Sequence, residues 1–391
     1  MSDGVLVIGR ALHAPWNEGT RVIGRGVVEL ARAAGRETLL ISLTQPAFAL
    51  PEPGVRHVGS THAYGARGDY AGLPGLARAV RAEARSGRFS VAHVVGLPLA
   101  LAPVLRLSGL RVVAHVALTH HVEHGRLETA RSLAAGRVYA PLIDAYACAS
   151  TPVHDELRER GYPERKLFTC VPPVDTQTYA SRGRASSRST LGWDADAFTV
   201  AYVGQVAEQR FPADQIARQL ASLPFPARLE LYAPATTHER NPARVARIRA
   251  SFADAGVPAT VRTEDLGDDA KAMISSAADV QLFPFTAPAA IEPPLTLVEA
   301  MACAATVLVL PHANASRLVV DGRSGAFPRS LAELGTALCR LAELGADGRA
   351  QLGIAARATV VDRFSRAAAA RELETLWRAI GTPTSPNHQE H

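Results

Sequence analysis

Short, continuously apolar runs recur along this chain, each followed by a longer amphipathic stretch, and that alternation narrows the fold more than any other feature. Val5–Ile8, Thr38–Leu43, Val91–Val95, Arg111–Ala117, Ala145–Cys148 and Leu167–Val171 read as strands. Helical patterns lie between them at Val22–Ala34 (closed by Gly35), Leu73–Arg85 and Pro152–Arg160. Strands with no polar face, separated by helices, belong to a parallel sheet covered on both sides. After Ala180–Thr190, where Ser, Arg and Gly interleave and a linker is expected, the alternation restarts. Thr199–Val203, Ala227–Leu231, Ala259–Arg262, Val280–Phe283 and Thr306–Leu310 are its strands. Two successive doubly wound α/β domains are the natural reading, since 391 residues exceed what one core usually covers. Long amphipathic stretches at Leu331–Leu352 and Ala367–Ile380 follow, and the second of them either packs on the second domain or crosses back to the first.

Composition sets outer limits. Hydrophobic residues make up 47% and charged residues 20%, which excludes a wholly disordered chain. The N-terminus lacks a basic region and a signal-length apolar run, and no stretch reaches about 18 apolar residues, so a soluble cytoplasmic protein is expected. Cys148, Cys170, Cys303 and Cys339 show no CxxC spacing and read as buried free thiols. Of 42 cationic residues only Lys166 and Lys271 are lysine, a bias that fits a GC-rich genome. Cations exceed the 37 anions by five, and residues 1–175 carry the whole excess, 20 against 15. No basic run interleaved with aromatics accompanies it, so nucleic acid is not an expected partner.

The segment Glu292-Pro293-Pro294-Leu295-Thr296-Leu297-Val298-Glu299-Ala300-Met301-Ala302 carries the most chemistry. The prolines mark a helix start and Leu295 onward runs helical. A helix N-terminus offers free N–H groups and partial positive charge, which suits a diphosphate. Glu299, one turn in, can accept hydrogen bonds from vicinal sugar hydroxyls. A capped amphipathic helix with two solvated glutamates is the plain alternative. His115, His120, His121 and His124 cluster without Asp or Cys at ligand spacing, so a metal is not expected; His115, inside a strand, reads as a core histidine.

The stretch resembles the glutamate motif of glycosyltransferase family four, E-x-F-G-L-x-x-x-E-A-M-A-C-G-T-P-V, and Cys303-Ala304-Ala305-Thr306-Val307 continues it with alanine for the glycine. Other landmarks occur in order. Val171-Pro172-Pro173-Val174-Asp175 is similar to V-P-N-G-V-D, and Tyr202-Val203-Gly204-Gln205 with Arg210 is similar to Y-V-G-R-x-x-x-x-K. Leu282-Phe283-Pro284, Asp321-Gly322-Arg323-Ser324-Gly325 and Asp362-Arg363-Phe364-Ser365 resemble three more.

The resemblance implies an α/β GT-B fold, two Rossmann-like domains facing across an interdomain cleft. Residues 1–175 would form the acceptor side and 176–365 the nucleotide-sugar donor side. Residues 366–381 would form a C-terminal helix and 382–391 a disordered tail. It implies a retaining, metal-independent transfer from a UDP- or GDP-sugar to a hydroxyl acceptor, with no cofactor besides the donor. By the same resemblance Glu299 binds the ribose, Arg210 neutralises the diphosphate and Gly204 lets backbone approach the phosphates. Leu295 and Thr296 supply amides and a hydroxyl, and Glu292 with His120 or His121 faces the transferred sugar. Gly19 is what remains of a glycine pair after the first strand, followed by Arg21, which pairs with phosphate or faces solvent. Three departures stand out: Gln205 replaces the family's arginine, the two glutamates are one residue closer, and Pro-Pro replaces an amide-bearing pair. They motivate a rival reading, a non-catalytic GT-B protein that binds a sugar nucleotide or a partner subunit. The basic first half points to an anionic or membrane-associated acceptor and a peripheral position at the inner membrane face.

Overall fold

A computed structural model describes residues 3–13, 19–44, 51, 53–59, 66–96, 99–117, 137–233, 242–289, 291–314 and 317–381. The chain divides into two units. One comprises the residues up to Pro173 together with those from Ala367 onward; the other is Val174–Arg366. Each is a parallel sheet wrapped by helices, the architecture that the run-and-helix alternation predicts.

The first unit holds a seven-stranded sheet in the order β3-β2-β1-β4-β5-β6-β7. Its strands are β1 Gly4–Arg10, β2 Thr38–Thr44, β3 Val55–Gly59, β4 Phe89–Val95, β5 Arg111–Val116, β6 Ala145–Cys148 and β7 Leu167–Thr169. One face packs Leu6, Ile8, Ile41, Val94, Val112 and Ala114 under Leu76 and Val80 of the Ala66–Ala84 helix and Val153 and Leu157 of the Thr151–Glu159 helix. Alternation puts Val7, His93 and Val113 on the other face. There the Arg366–Gly381 helix belongs to the same unit: Glu372 Oε2 accepts the Val171 N–H at 2.8 Å, and Trp377 stands edge-on to His93 with centroids 6.4 Å apart. The Arg36 guanidinium lies over that indole, 5.1 Å from the ring centroid. β3 is absent from the sequence reading because it is an edge strand whose residues stay half-exposed, so no apolar run marks it.

His115 is a core residue, paired with His93 at 3.0 Å between ring nitrogens. Burial pulls both imidazoles down, His115 to about 4, and the neighbouring His115 lowers His93 further. The folded unit therefore resists protons that the unfolded chain takes up near 6.5, so stability is whole above that pH and is lost as pH falls toward 4. For His115 the loss is on the order of 3 kcal/mol. Urea unfolding of the first unit followed by Trp377 fluorescence across pH 7.5 to 4.5 should show this slope, and His115→Gln should flatten it. An equal slope in that variant would refute the assignment.

The second unit holds a five-stranded parallel sheet, β10-β9-β8-β11-β12. Its strands are β8 Phe198–Val203, β9 Ala227–Tyr232, β10 Ala259–Arg262, β11 Val280–Phe283 and β12 Val307–Val309. The expected linker at Ala180–Thr190 is instead largely helical, Arg184–Leu191, bracketed by Gly183 and by Gly192 in the left-handed region. Its polar composition misleads because Arg188 points inward, 1% exposed, onto the equally buried Asp279 at 2.5 Å. All four cysteines are free; Cys148, Cys170 and Cys303 are buried and Cys339 is half-buried. Among the described residues no helix is long and apolar enough to cross a membrane.

Candidate functional site

Doubly wound sheets bind ligands outside the carboxyl ends of their strands, where the strand order reverses. In the second sheet that reversal lies between β8 and β11. The loops leaving these strands carry Gly204, Gln205 and Arg210 on one side, and Glu292, Leu295, Thr296 and Glu299 on the other. Two bonds tie the loops together, from the Thr286 N–H at 2.9 Å and the Thr286 hydroxyl at 3.3 Å, both to the Gln209 carbonyl. The Arg210 guanidinium lies 4.7 Å over the Phe285 ring, which fixes a cation beside the β11 loop. Gly204 has φ 153°, and a Cβ there would come within 3.2 Å of the Tyr202 hydroxyl, so its backbone stays bare. Gln205 is exposed, and its carbonyl accepts that hydroxyl at 2.5 Å.

The Leu295–Ala302 helix begins where the prolines imply, with Pro294 as its N-cap and no side chain capping it among the described residues. Its first N–H groups, from Leu295 and Thr296, precede the first bonds to the Pro294 carbonyl from Leu297 at 3.0 Å and Val298 at 3.2 Å. Glu292 is buried, so neither glutamate is a solvated surface group. The helix ends in a Schellman turn: Ala304 N–H to Met301 carbonyl, 3.0 Å, and Ala305 N–H to Ala300 carbonyl, 3.1 Å. Ala304 sits at φ 56°, where glycine would be free of strain.

Glu299 is buried and meets three residues that the sequence reading did not single out. Lys271 Nζ lies 3.6 Å from its Oε1 and donates to the Tyr179 hydroxyl at 3.4 Å. Tyr179 donates to Asp268 Oδ1 at 2.8 Å, and Lys271 Nζ lies 3.5 Å from the same oxygen. Burial raises the Glu299 pKa while the Lys271 charge opposes it, and burial beside Glu299 and Asp268 raises Tyr179. The available signal was the rarity of lysine: Lys166 and Lys271 are the only two, and both ammonium groups contact buried oxygen acceptors.

In the first sheet the order reverses between β1 and β4. Gly19 opens the Gly19–Ala33 helix after β1. Gly96, at φ 64° after β4, would place a Cβ 3.3 Å from Thr20, so the two turns meet there. Arg21 is buried rather than solvent-facing. His120, His121 and His124 lie outside the described residues.

Two doubly wound parallel sheets, each with its candidate residues at a reversal of strand order, define the GT-B class. The model of Glycosyltransferase Family 4 matches residues 23–178. Its structure is similar to that of HepE from Anabaena, solved in complex with UDP and glucose (18% identity, 95% of this chain and 99% of that one, TM-score 0.75). It is also similar to a sucrose-phosphate synthase from Thermosynechococcus elongatus (18%, 96% and 98%, TM-score 0.78). A glycosyltransferase from Rickettsia africae matches at 13% identity over 98% and 100%, TM-score 0.78. Among curated proteins no sequence matches the chain.

Proposed function

We propose that this protein is a retaining glycosyltransferase that moves a sugar from a nucleoside diphosphate sugar, UDP-linked in preference to GDP-linked, to a hydroxyl acceptor without a metal. The observation that carries the reading is the pair of loops at the β8/β11 reversal, bonded through Gln209 and Thr286, with a cation, a bare glycine backbone, an uncapped helix N-terminus and a buried carboxylate. UDP bound to HepE supports a uridine donor. In this reading the Leu295 and Thr296 amides and Arg210 hold the diphosphate, and Glu299, steadied by Lys271, accepts from the ribose hydroxyls. Glu292 faces the transferred sugar.

The bond between the anomeric carbon and the phosphate oxygen breaks, and its electrons leave with the nucleoside diphosphate. The acceptor oxygen bonds to that carbon on the same face, and its proton passes to the departing phosphate oxygen. The protein's task is then to hold both substrates in register and to stabilise the charge that gathers on the leaving group. Arg210 and the helix N-terminus are suited to that task; no acid–base pair of side chains is required.

Turnover of a panel of UDP-, GDP- and ADP-sugars tests the reading, and UDP-sugar consumption is the expected result. Arg210→Ala should weaken free UDP by about tenfold, the value of a charge-assisted contact to phosphate. UDP binding without turnover of any donor would favour a non-catalytic nucleotide-binding protein, and unchanged UDP affinity in the variant would remove Arg210 from the diphosphate.

A further inference from the structure

The first unit contains a cavity of about 600 Å³ that no part of the proposed transfer uses. Arg137, Arg160, Arg165 and Lys166 line it, with Tyr162, Pro141 and Pro163 beside them. These residues precede β6 and β7 and follow the Thr151–Glu159 helix, so the cavity sits at the amino ends of the strands. That is the end of the sheet opposite to the one where doubly wound folds bind substrate.

Among the described residues four cations and no carboxylate line the space. Lys166 is fixed in the wall, donating to the carbonyls of Ile143 at 2.6 Å and Ala140 at 3.3 Å, and an ammonium has a third proton to give. Arg160 pairs with Glu156 at 2.5 Å through one nitrogen, while its Nε is buried without an acceptor among the described residues. Arg137 and Arg165 are exposed. Of the neighbouring carboxylates, Glu156 pairs with Arg160, Asp144 pairs with Arg106 and Arg111 and its charge also reaches Lys166, and Glu164 lies 3.6 Å from His154. A guanidinium Nε with no acceptor, beside three further cations, leaves a concave site short of negative charge. The five-charge excess of residues 1–175 is partly concentrated here.

We propose that this cavity is a binding site for a phosphate-bearing ligand, with Arg137, Arg160, Arg165 and Lys166 on the phosphate and Tyr162, Pro141 and Pro163 against the organic part. Forked guanidinium donors match phosphate oxygens, and the volume, typical of small-molecule sites, holds a phosphate with a sugar- or glycerol-sized body. A free phosphorylated metabolite and a phospholipid headgroup share this chemistry.

Calorimetric titration of the full chain with pyrophosphate and with glycerol 3-phosphate, in excess UDP to fill the proposed nucleotide site, tests the proposal. The double variant Arg137→Gln/Arg165→Gln, changed only at exposed positions, should bind at least about tenfold more weakly. Arg78→Gln, a single exposed charge elsewhere on the first unit, serves as control and should bind as the wild type does. Sedimentation with phosphatidylglycerol–phosphatidylcholine vesicles distinguishes the sources. Vesicle binding that the double variant loses points to a headgroup, and binding of the soluble phosphates alone points to a metabolite. Equal anion affinity in the wild type and the double variant, or binding of none of these probes, overturns the proposal, and either result leaves the donor assignment intact.

Discussion

Replacing Asp279 with alanine is expected to destabilise the second unit by about 3–5 kcal/mol, the cost of leaving a buried charge without its partner. Asp279 is 1% exposed at the side chain and accepts from Arg188 at 2.5 Å and Arg349 at 2.9 Å, with Arg184 at 3.1 Å. The Thr199 N–H completes its shell at 2.8 Å, which ties the Arg184–Leu191 helix to the start of β8. Arg188 spends its other donors on the carbonyls of Ala277, Asp194, Ala195 and Ala197, so it cannot swing out to water when the carboxylate goes. The double variant Asp279→Ala/Arg188→Met should recover part of the loss, because removing both charges is cheaper than stranding one. Urea unfolding measures both. A single-variant loss below about 1 kcal/mol would show that water reaches Arg188 after all.

Glu299→Gln is expected to weaken UDP at least about tenfold, because two ribose hydroxyls would lose a charged acceptor worth about 1.5–3 kcal/mol per bond. Glutamine keeps the volume of a buried side chain, so folding is spared the cavity that alanine would leave. The informative comparison uses UDP lacking the 2′ and 3′ hydroxyls. The wild type should lose affinity for that analogue, and the variant should barely distinguish it from UDP. Equal discrimination by both proteins would detach Glu299 from the ribose, whatever the outcome for catalysis. Burial, and with it the Asp268 charge, raises the Glu299 pKa, and the Lys271 ammonium at 3.6 Å opposes that rise.

The architecture was legible in the sequence because both sheets are parallel and covered, so each interior strand is written as an apolar run. β3 escaped because it lies at an edge and needs no such run. The Arg184–Leu191 helix escaped because its core contribution is an arginine, a residue that composition assigns to solvent. At the site, the glutamate helix could be placed from its prolines, and Ala304 keeps the left-handed turn of the glycine it replaces at a cost of about 1–2 kcal/mol. Lys271, Tyr179 and Asp268 could not be placed, because a cluster drawn from positions up to 120 residues apart has no local signature. The same holds for the contact between Gln209 and Thr286, which joins the two loops.

The Arg366–Gly381 helix has a consequence for how the molecule is made. It covers the His93 face of a sheet whose last strand ends at Thr169, so nearly two hundred residues separate that sheet from its cover. On a ribosome the Gly19–Ala33 helix can cover part of this face at once, but the part under Trp377 stays bare while the whole second unit is synthesised. The unit that is translated first is therefore the one that is finished last, and until Trp377 arrives its uncovered sheet is a natural client for chaperones.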